Sequence, residues 1–311
     1  MAKKIQVIIN PAAGKDEPIL NALNTAFNEC EVEWDVSITH KAGDARRFAQ
    51  QAAQAGVDIV AAYGGDGTVV EVASGLIGTA VPLAILPGGT ANVMSLELGI
   101  PNNLLQAARL CGGINSKIDQ IDVGQVGSHN FLLRVGMGFE AAMVEQTDRS
   151  LKDRFGVFAY LWSAVKTLRE PTVAHYQFVI DGQEVECKGF TCAIANSGNL
   201  GLPGLQLSSA ISIRDGLLDV ITVEEANWRA LVEVMGRVFA NPEATATVQD
   251  AAMLKYSDEI QGSLRHWQGK EISLHMEPVQ VIQYDGEVLE STQLPLICKV
   301  LPQMLKVVVP V

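Results

Sequence analysis

The sequence is poor in cysteine and contains no long apolar run. Its five cysteines are odd in number and form no Cys-x-x-Cys pair, so we expect neither a disulfide framework nor a zinc site. Free thiols suit a reducing compartment. No apolar run reaches the ~20 residues needed to cross a bilayer, and Lys3-Lys4 leads into a short strand-like run that is not typical of a signal peptide. We therefore expect a cytoplasmic protein and leave peripheral contact with a membrane open.

The chain is also short of positive charge. It has 23 Lys and Arg against 35 Asp and Glu, a formal net charge of −12, which argues against nucleic acid as the main partner. Any approach to an anionic membrane would therefore use a local basic or apolar patch. Because 311 residues exceed the usual size of a single hydrophobic core, we expect two domains.

Two common phosphate-binding signatures are missing. No Gly-x-x-x-x-Gly-Lys-[Ser/Thr] segment occurs, which excludes a P-loop enzyme. The segment Ile5–Gly14 lacks Gly-x-Gly-x-x-Gly, which disfavours a dinucleotide site of the Rossmann type. The five histidines show no His-x-x-x-His spacing, so we expect them to be surface or structural residues.

The most informative stretch that is present is Gly64–Thr68, the first glycine loop. It follows the apolar run Val57–Tyr63, typical of a buried strand, and precedes Val69–Ile77, which has helical spacing. Glycines at a strand-to-helix turn let backbone N–H groups approach a phosphate, although a tight turn without a ligand has the same pattern. Asp66 would repel an anion unless it binds a metal or a sugar hydroxyl, or shapes the loop. We infer phosphate together with magnesium.

Strands and helices alternate through the first hundred residues, which predicts a parallel sheet with ligands at the carboxyl ends of its strands. Four of these ends are polar or glycine-rich: residues 10–15, Thr39, the first glycine loop, and Pro87–Asn92, the second glycine loop. Within the second glycine loop, Thr90 and Asn92 are also compatible with an ordinary helix cap and a solvent-facing helix residue. Two such loops on neighbouring strands favour a two-sided clamp on nucleotide phosphates. The predicted strands are Ile5–Ile9, Val32–Ile38, Val57–Tyr63 and Val81–Leu86, with helices at Glu17–Asn28 and Asp44–Ala55.

The pattern changes after about residue 115. Gly127-Ser128 and Asp181-Gly182 each lie between strand-like runs and predict β-hairpins. Further strand-like runs at Leu218–Glu224 and Ile272–Gln283 favour a largely antiparallel second domain. The segment Leu151–Glu170 predicts an amphipathic helix with basic residues, which lies either on a membrane or against its own domain.

The motifs occur in an order that resembles the catalytic domain of diacylglycerol kinases, a family that includes bacterial soluble lipid kinases and has sphingosine and ceramide kinases as relatives. Gly-Gly-Asp-Gly-Thr alone is shared with NAD kinases, but the ordered set is more specific and spans essentially the whole chain. The resemblance implies an α/β domain with a doubly wound parallel sheet at 1–115, completed by about 294–311, and a β-sandwich domain at 116–293. The motifs are Asn10-Pro-Ala-Ala-Gly14, Gly64–Thr68 with Glu71, Gly88–Asn92, Asp215-Gly216 and Asp285-Gly286-Glu287.

The resemblance implies an ATP-dependent lipid kinase and assigns roles to individual residues. Asp66 and Glu71 are expected near the phosphates and their magnesium. Asp215 is expected to hold a structural magnesium with the main-chain carbonyls of Ser212 and Leu217. The residues expected around the nucleotide are Asn10, Thr39, Gly64, Gly65, Asp66, Gly67, Thr68, Glu71, Gly89, Thr90 and Asn92.

Asp285 has two interpretations. Taken alone, Ile282–Leu289 predicts a type I′ hairpin turn. The resemblance instead implies that Asp285 accepts a proton from the acceptor hydroxyl, as a general base. Glu287, two residues on, lies on the same face of an extended strand, where it orients this base or binds metal.

Two other functions stay open at this point. An NAD kinase-like enzyme would share the first glycine loop, but the Asn-Asp or Asn-Glu pair expected downstream of it does not occur there. A non-catalytic nucleotide- or lipid-binding regulator on the same fold would not need the motif residues that this chain retains. The partner implied by the resemblance is a lipid with a hydroxyl group, and neither its identity nor the oligomeric state, a homodimer included, follows from the sequence.

Overall fold

The structure is a computed structural model that describes residues 3–13, 17–89, 91–138, 173–202, 205–208, 210–223, 264–290 and 293–311. Gly14, Lys15, Thr90 and the predicted helix Leu151–Glu170 lie outside the described residues. The chain forms two units. Unit 1 comprises Met1–Asp122 and Pro302–Val311, and unit 2 comprises Val123–Leu301.

Unit 1 is an α/β domain built on a parallel sheet, as predicted. Its strands are β1 (Lys4–Ile9), β2 (Glu33–Ile38), β3 (Ile59–Gly64) and β4 (Leu83–Pro87), in the order β2-β1-β3-β4. Every residue of β3 and β4 is buried, as expected for strands covered on both faces. The helices are α1 (Ile19–Glu29), α2 (Asp44–Gln54), α3 (Asp66–Leu76), α4 (Val93–Glu97) and α5 (Leu104–Gly112).

The strand order creates a switch point between β1 and β3. From β1 the chain passes to β2 on one side and then returns to β3 on the other side. In open α/β sheets, ligands bind at the carboxyl ends of the strands where the order reverses in this way. The first glycine loop begins at the carboxyl end of β3, and Asn10 directly follows β1. The fold therefore places both at the position where a ligand is expected.

Helix α3 begins three residues earlier than the predicted start at Val69. Gly65 is extended, with φ −84° and ψ −176°, and serves as the N-cap of α3, so Asp66 is already its first residue. Part of the first glycine loop is thus the first turn of a helix. The consequence is that the N–H groups of this turn point along the helix axis, in the direction that attracts anions.

Unit 2 is a sandwich of antiparallel sheets around one apolar core, as predicted. One sheet has the order β14-β13-β10-β7-β16-β17, and the opposing strands include β18, β15, β8 and β9. Side chains from both layers form the core, among them Met137, Phe178 and Val220. The strands are β5 (Ser116–Val126), β6 (His129–Phe131), β7 (Arg134–Gly138), β8 (Ala174–Ile180), β9 (Gln183–Gly189), β10 (Thr191–Ala195), β11 (Asn199–Leu202), β12 (Leu205–Gln206), β13 (Leu218–Val223), β14 (Leu264–Gly269), β15 (Glu271–Glu277), β16 (Ile282–Tyr284), β17 (Glu287–Val288) and β18 (Leu296–Pro310). Of these, β5 begins in unit 1 and β18 ends there.

Both predicted hairpins form, and one predicted strand is divided. Gly127-Ser128 joins β5 to β6, and Asp181-Gly182 joins β8 to β9. The run Ile272–Gln283 divides into β15 and β16, which belong to different sheets. Pro278 lies in the break, where its missing N–H removes a donor from any continuing ladder. Strand β18 ends in unit 1, where Val307 pairs in parallel with Leu83 of β4.

Helices α2 and α3 pack closely because Gly75 of α3 has no side chain. A Cβ at Gly75 would lie 2.6 Å from the Arg46 carbonyl oxygen and 2.8 Å from the Ala49 Cβ. The backbone oxygen cannot move aside without displacing α2. This contact holds α3, and with it the first glycine loop, against the neighbouring helix.

We predict that Gly75→Ala destabilises the protein although alanine is the better helix former. Overpacking against the Arg46 carbonyl should lower the free energy of unfolding by about 1–3 kcal/mol, which exceeds the ~1 kcal/mol gain in helix propensity. Thermal unfolding measures the change. Gly67→Ala is the matched control in the same helix, because its added Cβ has no neighbour within 4 Å apart from its own helix backbone and adjacent residues, and it should be at least as stable as the wild type. Equal midpoints for the two variants would contradict the packing argument.

Candidate active site

The ends of the four strands of unit 1 are tied together by backbone hydrogen bonds. Thr39 N–H donates to the Ile9 carbonyl over 2.9 Å, and Asn10 N–H donates to the Tyr63 carbonyl over 3.0 Å. Gly88 N–H donates to the Gly64 carbonyl over 3.0 Å. All four polar strand ends expected from the sequence therefore meet at one edge of the sheet, with Thr39 itself buried.

A side-chain hydrogen bond crosses the switch point. Asn10 Nδ2 donates to Thr68 Oγ1 over 3.0 Å, and Asn10 Oδ1 accepts the N–H of Ala12 over 3.0 Å. The Asn10 side chain thus joins the segment after β1 to the first turn of α3. Asparagine can do both because its amide carries a donor and an acceptor on one short side chain.

The two glycine loops touch backbone to backbone. A Cβ at Gly89 would lie 2.6 Å from the Gly65 Cα, and one at Gly88 would lie 2.9 Å from the Tyr63 ring. A Cβ at Gly64 would lie 2.5 Å from Thr68 Oγ1. These three glycines are therefore required by packing alone. Gly67 differs, since the space where its Cβ would project is open for at least 4 Å.

Asn92 holds the second glycine loop in shape. Its backbone has φ 48° and ψ 48°, the left-handed region that asparagine tolerates better than most residues. Its Oδ1 accepts the Gly89 N–H over 2.9 Å, and its Nδ2 donates to the Gly89 carbonyl over 2.8 Å and to Asn102 Oδ1 over 3.2 Å. The side chain therefore ties the loop to itself and to the segment before α5.

The two acidic residues expected near the phosphates have different surroundings. Asp66 Oδ1 accepts the N–H of Met94 over 3.2 Å, so this carboxylate lies between the first turns of α3 and α4. Glu71 Oε2 accepts the N–H groups of Gly43 and Ala45 over 3.0 and 3.2 Å. Glu71 thus caps α2, whose own N-cap residue has no side chain. A role for Glu71 at the phosphates stays a prediction, and Asp66 is the acidic residue within the first glycine loop.

Asp285, in unit 2, lies in a cradle of backbone donors. Its Oδ2 accepts the Leu132 N–H, and its Oδ1 accepts the N–H groups of Leu133 and Arg134, over 2.6, 2.9 and 3.0 Å. Burial raises the pKa of the Asp285 carboxyl to about 6, against the opposing effect of these donors and of the Arg134 charge. Its φ of 45° and that of Gly286, 89°, form the hairpin turn between β16 and β17. One aspartate therefore both shapes a turn and carries a raised pKa.

Glu287 lies beyond this turn, at the start of β17, so the expectation that it shares a strand face with Asp285 is wrong: Asp285 belongs to the turn itself. Tyr284 holds the Glu287 side chain. The Tyr284 hydroxyl donates to Glu287 Oε2 over 3.1 Å, and its ring lies 4.9 Å from the ring of His129 between centroids. Burial and the nearby Glu287 charge raise the pKa of the Tyr284 hydroxyl to about 12. The hydroxyl therefore stays protonated and can act only as a donor to this carboxylate.

The predicted metal residues form an ordered turn. Asp215 Oδ1 accepts the Leu217 N–H over 3.0 Å, and Ser212 Oγ accepts the Arg214 N–H over 3.2 Å. No group of three or more His, Cys, Asp or Glu side chains within the described residues is arranged to hold a metal ion. The predicted magnesium site has one carboxylate and two main-chain carbonyls, so it differs from such side-chain groups and stays a prediction.

No described helix has the length and apolar character needed to span a membrane.

The sequence analysis did not identify the residues that hold Asp285. Leu132 and Leu133 contribute backbone N–H groups, which leave no mark on residue type. Arg134 adds a guanidinium whose Nη1 donates to the Asn199 carbonyl over 3.1 Å. Only the pairing of β7 with β16 shows that these residues face Asp285.

Comparison with known proteins identifies the family. The family model described as "Diacylglycerol kinase catalytic domain" matches residues 4–126, and that described as "YegS C-terminal NAD kinase beta sandwich-like domain" matches residues 134–309. The chain is 31% identical to "Uncharacterized protein sll0036" of Synechocystis over 98% of its length and 70% of that protein. It is 30% identical to "Putative lipid kinase SH2167" of Staphylococcus haemolyticus over 84% of its length and 79% of that protein.

A solved structure shares the fold. The crystal structure of a protein described as "a putative diacylglycerol kinase" from Bacillus anthracis superposes with a TM-score of 0.78, at 24% identity, over 98% of this chain and 94% of that one. Together with the two family models, this likeness covers both units. The chain belongs to the diacylglycerol kinase catalytic-domain family, and its second unit is the NAD kinase-like β-sandwich of these kinases.

We predict that two substitutions of Asn92 separate its hydrogen bonds from its backbone conformation. Asn92→Gly keeps the left-handed backbone and loses the three hydrogen bonds, which should lower the free energy of unfolding by about 2 kcal/mol. Asn92→Ala adds backbone strain and should lower it by about 1 kcal/mol more. Thermal unfolding of both variants is the measurement. A glycine variant less stable than the alanine variant would show that the backbone conformation is not a constraint.

Proposed function

We propose that this protein is an ATP-dependent lipid kinase that transfers the γ-phosphate to the hydroxyl of a diacylglycerol-like lipid. The observation that carries the proposal is the contact between Gly65 and Gly89, which joins the carboxyl ends of β3 and β4 next to the switch point of the parallel sheet. Family membership supports kinase chemistry. The class of acceptor is taken from a relative whose name is "Putative lipid kinase SH2167".

The first glycine loop suits the phosphates of a nucleotide. The first turn of α3 directs its N–H groups and its helix dipole outward, and the open space at Gly67 leaves room for a phosphate group. Asn10 and Asn92 hold the two loops by side-chain hydrogen bonds. Thr39, Gly64, Thr68, Gly89 and Thr90 complete the proposed nucleotide site. Phosphoryl transfer depends on positioning and charge neutralisation more than on covalent chemistry, and rigid backbone loops supply positioning.

Magnesium fits the oxygen ligands of both candidate sites. Asp66 would hold the nucleotide-bound ion, and Asp215 with the carbonyls of Ser212 and Leu217 would hold a structural ion, since Mg²⁺ prefers such hard oxygen donors. The nucleotide-bound ion supplies charge neutralisation at the transferring phosphate. Glu71 would add negative charge behind Asp66 while it caps α2.

Asp285 is the proposed general base. An alcohol attacks phosphorus better when a carboxylate accepts its proton in the transition state. With a pKa of about 6, Asp285 is ionised near neutral pH and is more basic than an exposed aspartate. Three backbone donors leave Oδ2 with lone-pair capacity for one more hydrogen bond, which a hydroxyl can occupy. Glu287, held by Tyr284, would orient this base.

A diacylglycerol-like acceptor requires the enzyme to work at a lipid surface. A diacylglycerol-like substrate resides in a membrane, so we propose peripheral contact between the protein and the bilayer, and no role for nucleic acid. A second candidate acceptor is NAD, because the family model for the second unit is described as NAD kinase-like. Both acceptors offer a hydroxyl, and one assay distinguishes them.

We predict that Asp285→Asn abolishes phosphate transfer while Asp181→Asn does not. Asp181 is the matched control: it begins another Asp-Gly hairpin turn of unit 2, and its carboxylate likewise accepts backbone N–H groups, from Lys270 and Glu271. With labelled ATP and mixed micelles containing a panel of lipids, plus NAD, Asp285→Asn should lower kcat about 10²–10⁴-fold. Labelling of NAD alone would replace the lipid acceptor. Equal losses in both variants would show that the loss reflects the turn and not a base.

We predict an acid limb near pH 6 in the pH profile of kcat/KM. A general base works only when deprotonated, so activity should be full above the Asp285 pKa of about 6 and should fall tenfold per pH unit below it. Initial rates at limiting lipid with saturating MgATP, measured from pH 4.5 to 8, give the midpoint for the enzyme without bound lipid. A midpoint near 4, the ordinary aspartate value, would show that the reacting carboxylate is exposed and is not Asp285.

A further inference from the structure

Residues 132–134 donate N–H groups to Asp285, and on their opposite side they are hydrogen-bonded to the residues that follow β10. In its sheet, β7 lies between β10 and β16. Asn196 directly follows β10, and Asp285 directly follows β16. Leu132 and Leu133, just before β7, pass between these two strand ends. Leu132 and Leu133 therefore have Asp285 on one side and Asn196 on the other.

One peptide group is clamped between the side chains of Asn196 and Asp285. The Leu132 carbonyl accepts a hydrogen bond from Asn196 Nδ2 over 2.9 Å, and Asn196 is fully buried. The N–H of this same peptide group belongs to Leu133 and donates to Asp285 Oδ1 over 2.9 Å. Because a trans peptide directs its C=O and N–H in opposite directions, a donor at one end orients the other.

The next peptide group is clamped in the same way, by backbone donors. The Leu133 carbonyl accepts the N–H groups of Asn196 and Ser197 over 2.8 and 3.0 Å. Its partner N–H, that of Arg134, donates to Asp285 Oδ1 over 3.0 Å. Hydrogen bonds in such chains polarise one another, so a carbonyl that accepts makes its own N–H a stronger donor.

We propose that Asn196 is a positioning residue for Asp285, acting through the Leu132–Leu133 peptide group that lies between the two side chains. This inference rests on the proposed function, in which Asp285 is the general base. The Asn196 amide fixes the rotation of that peptide and strengthens the donor that holds Oδ1. With Oδ1 held by Leu133 and Arg134, the Oδ2 atom is aimed toward the acceptor hydroxyl. Asn196, Leu132 and Leu133 are buried, so no water replaces the lost Asn196 donor without rearrangement.

The direct test is the amide NMR spectrum of Asn196→Ala. This variant removes the side-chain donor to the Leu132 carbonyl and keeps the backbone donors to the Leu133 carbonyl. The Leu133 amide proton should therefore move upfield, as expected for a weakened hydrogen bond, and should move farther than that of Arg134. Equal positions of the Leu133 amide proton in the variant and the wild type would overturn the proposal.

Thr191→Val is the matched control for loss of a side-chain donor to a carbonyl of β7. Thr191 Oγ1 donates to the Met137 carbonyl of β7 over 2.8 Å, in the same sheet but without a bond to Asp285. It should lower thermal stability as Asn196→Ala does, while the Leu133 amide proton keeps its wild-type position. Displacement of that proton in both variants would show a general loosening of β7, and would overturn a specific role for Asn196.

Kinetics give a second, separate readout. Asn196→Ala should lower kcat about tenfold through the misaligned base, with the KM for ATP unchanged, and Thr191→Val should leave both unchanged. An unchanged kcat in Asn196→Ala would overturn the positioning role. If the wild type phosphorylates no lipid, the proposed function fails, and the amide spectrum still decides whether Asn196 controls the hydrogen bond to Asp285.

Discussion

The structure of unit 1 depends on the close approach of two backbones, at Gly65 and Gly89. This contact leaves no room for a Cβ at Gly89, which would lie 2.6 Å from the Gly65 Cα. It joins the carboxyl ends of β3 and β4 at the edge where Asn10 also reaches Thr68. The nucleotide site that we propose is composed of backbone N–H groups and therefore needs loops that do not move; packing and side-chain hydrogen bonds fix both glycine loops without a ligand.

Unit 2 contains two Asp-Gly hairpin turns of the same local structure, at Asp181 and Asp285, whose carboxyls have different pKa values. Asp181 and Asp285 each begin an Asp-Gly hairpin turn with positive φ, and each carboxylate accepts backbone N–H groups from a neighbouring segment. They differ in their surroundings. Hydrogen bonds from Glu271 and Lys270 lower the pKa of the Asp181 carboxyl, whereas burial raises that of Asp285 to about 6. Desolvation is the largest influence on the Asp285 carboxyl, whereas hydrogen bonds are the largest on that of Asp181.

Sequence patterns predicted the elements of this fold better than the environments of its side chains. The alternation of apolar runs predicted the parallel sheet, because strands buried on both faces have a distinctive composition. The pattern predicted that α3 starts at Val69, since a helical stripe shows only where side chains pack, whereas α3 begins at Asp66, inside the first glycine loop. Two contacts join segments that are distant in the sequence: Glu71 accepts an N–H at the start of α2, and Asn196 donates to the Leu132 carbonyl. Donors and acceptors of the backbone have no residue signature, so sequence alone could not predict them.

The central claim is that the two glycine loops hold the phosphates of ATP, and amide hydrogen exchange tests it most directly. We expect MgATP to slow exchange at amides of 64–68 and 88–92. Phosphate oxygens protect the N–H groups that donate to them, and the bound nucleotide stabilises the loop hydrogen bonds that other amides, such as those of Gly88 and Gly89, already make. Amides of β8 and β9, in the hairpin of unit 2 that begins its turn with Asp181, should exchange at the same rate with and without nucleotide. Protection elsewhere, with exchange in both glycine loops unchanged at saturating MgATP, would contradict the account.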